Sequence, residues 1–198
     1  GSEMCIRDRR QICCDPHLHY EDYKAGSAKL DACMELVHGA LDGGHRILLF
    51  SQFTSMLELL AKRLDEAGVS HFTLQGSTPK PVRAEQVRRF NQGEADVFLI
   101  SLRAGGTGLN LTAADIVIHY DPWWNLAAQN QATDRAYRIG QRNPVQVYRL
   151  IAQDTIEEKI VELQQAKQSL ADTVTGGADG AILSMNPEQL LQLLGEEA

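Results

Sequence analysis

Two short apolar runs, Val97-Phe98-Leu99-Ile100 and Ile116-Val117-Ile118, decide the fold of this 198-residue chain, together with the glycine-rich loop 101–110 between them. Apolar runs of this length, without polar alternation, are typical of strands that are buried on both faces of a sheet. A loop that contains several glycines and hydroxyl side chains directly after such a strand is typical of a ligand-binding edge. The two runs therefore predict neighbouring strands of a parallel sheet with a binding loop at one edge.

Working outward, the same alternation of strand-like and helical patterns continues in both directions. Apolar runs at 47–50, 71–74 and 145–148 predict further strands, and helical spacing predicts helices at 27–42, 56–64, 82–90 and 125–138. Strands that alternate with helices indicate an α/β fold, in which helices cover both faces of a parallel sheet. In such a sheet, ligands bind beyond the carboxyl ends of the strands.

The net charge of -7 comes from 19 Lys and Arg residues against 26 Asp and Glu residues. Residues 1–150 hold 17 basic and 17 acidic residues, whereas residues 151–198 hold 2 basic and 9 acidic residues. The net charge of -7 therefore comes entirely from residues 151–198. Residues 71–150 hold 9 basic and 6 acidic residues, an excess of 3. The overall charge therefore does not exclude a nucleic-acid partner, because the acidic residues belong to a separate C-terminal element.

No apolar run approaches 18 residues and no apolar core of a signal peptide is present, so we expect no membrane partner. The expected location is the cytoplasm of a bacterium, in association with the nucleoid, or the nucleus of a eukaryote. The four cysteines are then expected to be free thiols. Two of them lie near two histidines, which leaves open a zinc site, although the spacing fits no standard ligand pair and favours ordinary packing; the residues are Cys13, Cys14, His17 and His19.

The loop Gly105-Gly106-Thr107-Gly108 places three glycines within four positions. Glycine lets backbone N–H groups approach an anion closely, and Ser101 and Thr107 add hydroxyl donors. The loop therefore suits a phosphate group, although a glycine-rich turn alone is weak support for one.

A second polar segment, residues 131–141, is predicted to continue a helix. On that helix Gln131, Arg135 and Arg138 lie at i, i+4 and i+7 and would share one face. Two guanidinium groups that converge on one point favour an anionic ligand such as a triphosphate, while a solvated basic helix face is the simpler alternative.

The order of these motifs resembles the Swi/Snf-type DNA translocases of helicase superfamily 2. Asp121-Pro122-Trp123-Trp124-Asn125 and the segment 131–141, which ends in Arg138-Ile139-Gly140-Gln141, resemble motifs V to VI of that family. Ile47-Leu48-Leu49-Phe50-Ser51-Gln52-Phe53 resembles its motif IV, and Leu74-Gln75-Gly76-Ser77-Thr78 resembles the turn that follows. Arg10-Gln11-Ile12-Cys13-Cys14-Asp15-Pro16 is similar to the segment that leads into the second lobe, with Asp15 where histidine is common.

The resemblance implies the C-terminal, RecA-like lobe of a DNA-dependent ATPase that moves along double-stranded DNA. Such enzymes bind ATP and Mg²⁺ mainly through their first lobe, so the partners implied are double-stranded DNA and the N-terminal RecA-like lobe of the same protein. No Walker-type Gly-x-x-x-x-Gly-Lys loop occurs in the 198 residues, so we expect no hydrolysis by this chain alone. By the resemblance, Arg138 is the arginine finger and Arg135 is a second phosphate or interlobe contact. Gln131 would contact the nucleotide, and Gly106 and Gly108 would shape the loop between nucleotide and DNA.

The resemblance also assigns DNA contacts to the loop tips, where short polar groups suit phosphate oxygens. Trp124 could stack on DNA or pack in the core beside Trp123, and both interpretations stay open. Arginines 83, 88 and 89 could form a basic rim or a solvated helix face. The DNA-contacting residues implied by the family motifs are Gln52, Gly76, Ser77, Thr78, Ser101, Thr107 and Trp124.

Four segments are predicted. Residues 1–9 resemble an expression or sequencing-adapter scar without helical periodicity, residues 10–26 lead into the lobe, and residues 27–152 form the RecA-like lobe. Residues 153–198 form a helical brace and an acidic tail, in which a helix from Thr155 to Leu170 resembles the family's brace and a short final helix carries four leucines. We expect these leucines to pack against the sheet or a neighbouring lobe.

Two other classes of function remain as alternatives. A module that binds DNA or protein without catalysis would lack an upstream Walker-type loop. An α/β enzyme that modifies nucleotides fits the fold, but it gives Arg135 and Arg138 no partner site.

Overall fold

The sheet is parallel throughout, as the sequence predicts. The computed structural model describes residues 4–20, 22–105, 109–136, 141 and 143–173. Within them the strand order is β2-β3-β1-β4-β5, and all four strand pairs are parallel. The strands are β1 (Ile47–Ser51), β2 (His71–Leu74), β3 (Val97–Ser101), β4 (Ile116–His119) and β5 (Gln146–Arg149).

Helices connect these strands. The described helices are α1 (Ile6–Cys14), α2 (Ala28–Asp42), α3 (Thr54–Glu66), α4 (Lys80–Asn91), the short α5 (Leu102–Gly105), α6 (Leu126–Thr133) and α7 (Ile156–Thr173), with a 3-10 turn at Pro16–Leu18. None of them is long and apolar enough to cross a membrane.

Alternation along the central strands divides the core into two layers. Ile47 and Leu49 of β1 pack with α2 and α3, whereas Leu48 and Phe50 of the same strand pack with Phe90 of α4 and with α6. Successive strand side chains point to opposite faces, so a strand that is apolar at every position needs a cover on both sides. The prediction of a RecA-like α/β sheet with helices on both faces is confirmed.

Local signals set the helix ends. The Ser27 hydroxyl accepts a hydrogen bond from the backbone N–H of Leu30 at 3.4 Å and caps α2 as predicted. Gly68 follows α3 with a φ of +68°, a left-handed conformation that a side chain would strain.

Two elements differ from the prediction. Helix α1 begins at Ile6, so the boundary predicted between residues 9 and 10 falls inside a helix. Helix α6 ends at Thr133, and residues 134–136 form a turn. The predicted final helix and acidic tail lie outside the described residues.

Candidate nucleic-acid interface and motor site

Loops from neighbouring strands meet at the carboxyl edge of the sheet. Strand β1 lies between β3 and β4, and the chain leaves β1 toward β2 on one side and leaves β4 toward β5 on the other. The loops after β1 and β4 therefore diverge at a point where open α/β sheets bind their ligands. Hydrogen bonds from Ser51 and Gln52 to Asp121 join the two loops directly.

A cleft of about 860 Å³ opens at this edge. Four residues that the sequence predicts as DNA contacts line it: Gln52 after β1, Gly76 and Ser77 after β2, and Ser101 at the end of β3. Helix α1 forms another wall of the cleft with Arg7, Arg10 and Gln11. Residues from three strand ends are thus brought together around one space.

A small hydrogen-bonded turn presents the tip after β2. The Thr78 hydroxyl accepts a hydrogen bond from the backbone N–H of Gln75 at 3.0 Å, and the N–H of Thr78 donates to the carbonyl of Gln75 at 3.0 Å. Gly76 and Ser77 are exposed at the tip. Thr78 therefore acts within the turn, whereas Gly76 and Ser77 offer backbone and hydroxyl groups to a ligand.

A buried carboxylate organises the floor between β1 and β4. Asp121 accepts hydrogen bonds from the Ser51 hydroxyl at 2.6 Å and from the Gln52 amide Nε2 at 2.9 Å. Burial raises the pKa of Asp121, and the hydrogen bond from Ser51 opposes that shift. Because Nε2 of Gln52 also donates to the carbonyl of Pro122 at 2.6 Å, the Gln52 side chain is held within the lobe as a wall of the cleft.

The two adjacent tryptophans have different environments. Trp123 is 1% exposed and packs edge-on against Phe50 with 6.2 Å between ring centres. Trp124 is half-buried beside the cleft, and its ring centre lies 5.5 Å from the guanidinium carbon of Arg10. Core packing therefore belongs to Trp123, while Trp124 keeps a partly accessible ring.

The expectation that Gln131 and Arg135 share one helix face is wrong. Helix α6 ends at Thr133, and the carbonyl of Arg135 accepts a hydrogen bond from the N–H of Leu111 at 3.2 Å. Gln131 is exposed, whereas Arg135 is 2% exposed. The chain leaves the helix because tertiary contacts of Arg135 outweigh the helical preference of the sequence.

Four predicted site residues lie outside the described residues: Gly106, Thr107, Gly108 and Arg138. The chain on both sides of the glycine loop is anchored: Ala104 and Leu109 are buried. Asn91 at the end of α4 donates a hydrogen bond to the carbonyl of Asn110 at 2.8 Å and accepts one from the N–H of Ala113 at 3.2 Å. One amide side chain thus fixes the segment that follows the loop.

The arginines of α4 have partners inside the chain. Arg88 forms an ion pair with Glu85 at 2.5 Å, and Arg89 forms one with Glu94 at 2.6 Å. Arg83 donates toward the carbonyl of Ala104 at 3.5 Å. These contacts favour a self-paired helix face over a dedicated basic rim.

Helix α7, the predicted brace, packs against this lobe at its N-terminal end. Glu157 forms an ion pair with Lys29 of α2 at 2.5 Å, and the Glu157 side chain is 1% exposed. Gln164 donates a hydrogen bond to the carbonyl of Trp123. The brace therefore supports the loop that carries Trp124.

Sequence reasoning did not identify three residues that shape the site. The sequence pattern places Arg10 in the segment leading into the lobe, Gln164 on the predicted brace helix, and Asn91 directly after the helix predicted at 82–90. For Asn91, a polar residue at the end of a helix that lies beside a glycine loop is a signal that could have indicated its role. Hydrogen bonds between segments that are distant in the sequence leave no local pattern.

In the remaining part of the described chain, Cys14 packs in the core and the His17 ring bonds to Asp15 at 2.6 Å. Among the described residues, no group of three His, Cys, Asp or Glu side chains could hold a metal ion.

The fold and the cleft together define the class: a RecA-like lobe whose strand-end loops line a cleft at the carboxyl edge of the sheet. Residues 28–140 match the helicase conserved C-terminal domain, and this match covers more than half of the chain. The chain belongs to the helicase conserved C-terminal domain family.

Relatives agree with this assignment. An uncharacterized ATP-dependent helicase of Mycoplasma pneumoniae is 42% identical over 84% of this chain and 16% of its own length. The putative ATP-dependent helicase/translocase YwqA of Bacillus subtilis is 40% identical over 93% of this chain and 20% of its own length. The human lymphoid-specific helicase is 45% identical over 76% of this chain and 19% of its own length. The chain thus spans about a fifth or less of the length of these relatives.

A solved structure shows the same architecture. The crystal structure of the C-terminal part of the Fun30 ATPase domain superposes with a TM-score of 0.67 at 32% identity, over 81% of this chain and 55% of that one. The resemblance to the second lobe of the Swi/Snf-type superfamily 2 proteins is confirmed.

Proposed function

We propose that this chain is the second motor lobe of an ATP-dependent translocase on double-stranded DNA, of the kind that remodels nucleoprotein complexes. The cleft at the carboxyl edge carries this proposal. Gln52, Gly76, Ser77 and Ser101 come from three different strand ends and line one space of about 860 Å³. Short polar side chains and bare backbone can hold phosphate oxygens without reading the bases, as a translocase requires.

The nucleotide side of the lobe is assigned to the segment after α6. Arg138 is the proposed arginine finger, which would neutralise charge that develops on the phosphates during hydrolysis. Arg135, at 2% exposure, has too little free surface for a broad interlobe contact. Arg135 would instead supply a second guanidinium to the phosphates, and the exposed Gln131 would contact the nucleotide.

ATP and Mg²⁺ would be held mainly by the first lobe. The bound Mg²⁺ would neutralise phosphate charge and orient the triphosphate. This chain would supply arginine side chains to the same phosphates from the opposite side.

Nucleotide and DNA sites would be coupled through backbone contacts inside this lobe. The glycine loop, with Gly106 and Gly108, lies between the two sites in the chain. The hydrogen bond from Leu111 N–H to the Arg135 carbonyl, at 3.2 Å, ties the end of that loop to the arginine segment. A shift of the arginines on hydrolysis would therefore be passed to the loop that contacts DNA, and the lobe would advance along the duplex.

The arginine-finger assignment is tested with this chain joined to its upstream lobe. Arg138→Ala should lower kcat for ATP hydrolysis by at least a hundredfold, because a finger arginine contributes about 10³-fold or more to such reactions. Binding of a fluorescent ATP analogue should change little. Arg63→Ala is the control, since Arg63 is an exposed arginine of α3 that pairs with Asp31. Hydrolysis by Arg138→Ala at the rate of the unmodified protein would remove Arg138 from this role.

A further inference from the structure

Arg10 of helix α1 is a buried cation in the wall of the cleft. Its side chain lines the same space as Gly76, Ser77 and Ser101, and the residue is 8% exposed. A buried charge is costly unless a partner of opposite charge or several hydrogen bonds stabilise it. The contacts of Arg10 therefore show how far its charge is compensated within the chain.

Two aromatic rings hold the guanidinium group. Its central carbon lies 5.5 Å from the ring centre of Phe53 and 5.5 Å from that of Trp124. Its Nη2 donates a hydrogen bond to the carbonyl of Pro122 at 3.0 Å. A guanidinium has five N–H groups, and among the described residues this is the hydrogen bond that Arg10 makes. The rings fix the group in place and leave further N–H donors for a ligand in the cleft.

The neighbouring carboxylate does not neutralise Arg10 directly. Asp121 and Arg10 do not form an ion pair in the described part of the chain, since the Asp121 oxygens accept hydrogen bonds from Ser51 and Gln52. Burial lowers the pKa of Arg10, and the charge of Asp121 opposes this shift. Arginine nevertheless stays protonated at neutral pH. The cleft thus contains a fixed, desolvated positive charge.

We propose that Arg10 binds a backbone phosphate of duplex DNA in the cleft, with the hydroxyls of Ser77 and Ser101 lining the same space. The forked donors of a guanidinium match the oxygens of a phosphate, and the low dielectric of the site strengthens the interaction. The half-buried Trp124 ring would keep the fork aligned. This proposal rests on the proposed function, since it names a further DNA-binding residue of the same cleft.

The test measures binding of a short fluorescein-labelled duplex to the 198-residue chain by fluorescence anisotropy over a range of salt concentrations. Arg10→Met keeps an unbranched apolar stem between the two rings and removes the charge. Affinity at low salt should fall about tenfold, as expected for one charge-assisted phosphate contact. The slope of log K against log salt should become less steep by about 0.9, because one fewer counterion is released.

Arg9→Met is the matched control. Arg9 lies on the same helix, is exposed, and donates to the carbonyl of Met4 at 3.2 Å without lining the cleft. This variant should keep the affinity and the salt slope of the unmodified chain. If Arg10→Met folds and also keeps both, Arg10 is not a DNA contact and the inference is overturned.

A second variant covers the case in which Arg10→Met does not fold. Gln11 lines the same cleft, so Gln11→Glu places an anion beside the proposed phosphate and should weaken DNA binding about tenfold. Gln92→Glu, directly after α4 at a residue that does not line the cleft, should weaken it much less. Equal, small effects of the two glutamates would contradict a phosphate at Arg10.

Two further outcomes separate this inference from the proposed function and from a nucleotide site. Failure of the unmodified chain to bind duplex DNA at low salt would count against the proposed function itself. ATP at millimolar concentration should not compete with the duplex for binding to Arg10. Displacement by ATP that disappears in Arg10→Met would assign the site to a nucleotide phosphate and overturn the DNA assignment.

Discussion

At the scale of the residue, His119 shows how burial controls protonation at the end of β4. The side chain is almost fully buried, stacks on Phe50 with 5.4 Å between ring centres, and shares a hydrogen bond with the Thr133 hydroxyl through Nε2 at 2.9 Å. Its Nδ1 has no hydrogen-bond partner among the described residues. Burial lowers the pKa of His119 to about 3, and the charge of Arg149 adds to this shift.

This pKa predicts a loss of stability in weak acid. The folded-state pKa lies below the unfolded value of about 6.5, so the unfolded chain binds more protons as the pH falls. The contribution of His119 is present above pH 6.5 and is lost between about pH 6.5 and 3, by up to about 1.4 kcal/mol per pH unit. His119→Gln should therefore show a weaker pH dependence of the free energy of unfolding in urea between pH 7 and 5.

His38→Gln is the control for this measurement, because His38 is exposed on α2. It should keep the pH dependence of the unmodified chain. A His119→Gln protein with the same pH dependence as His38→Gln would show that His119 does not stay neutral in the fold.

At the scale of the element, a buried ion pair connects α2 to the brace helix α7. The Lys29 ammonium lies 2.5 Å from Oε2 of Glu157, with side-chain exposures of 9% and 1%, and 5.2 Å from the ring centre of Tyr120. Burial raises the pKa of Glu157, and the charge of Lys29 opposes that rise. Glu157 also accepts a hydrogen bond from the N–H of Ala152 at 2.8 Å, so one carboxylate anchors the start of the helix.

Removal of one partner from this pair should be costly. Lys29→Met leaves a buried carboxylate without its cation, and we expect a loss of about 3 kcal/mol in the free energy of unfolding. The double variant Lys29→Met with Glu157→Leu should regain part of this loss. Arg63→Met, which breaks an exposed pair with Asp31, should cost less than about 1 kcal/mol. Equal losses for the two single variants in urea unfolding would contradict the buried character of the pair.

The elements also show what the sequence can predict. Continuous apolar runs identify β1, β3 and β4, because a strand buried on both faces needs apolar side chains on both. The edge strands β2 and β5 are less buried and carry polar residues, so their alternation with helices indicates them instead. The end of α6 could not be predicted, since the turn at Arg135 depends on a backbone hydrogen bond to Leu111. Helix α1 is not predictable over Ile6 to Arg9, because its start carries no apolar periodicity and it packs against the distant α7.

The candidate site was predictable in part, because the strands that carry its loops were predictable. Parallel strands bring their carboxyl ends to one edge, so Gln52, Gly76, Ser77 and Ser101 could be expected to lie near one another. The contribution of Arg10 comes from a helix outside the strand pattern, and only its contacts with Phe53 and Trp124 identify it.

At the scale of the whole molecule, the chain corresponds to the helicase conserved C-terminal domain, matched over residues 28–140. Its relatives extend well beyond it, with only 16 to 20% of their length covered. The acidic residues of 151–198 begin at Asp154, just before α7, and the start of α7 contacts α2 through the ion pair of Glu157 with Lys29.

The most direct test of the central claim is the rate of ATP hydrolysis by this chain joined to its native upstream lobe, with and without duplex DNA. We predict that duplex DNA raises kcat at least tenfold, and that the 198-residue chain alone shows no hydrolysis above background. A rate that is the same with and without duplex, in a joined protein that binds ATP, would contradict a DNA-dependent motor.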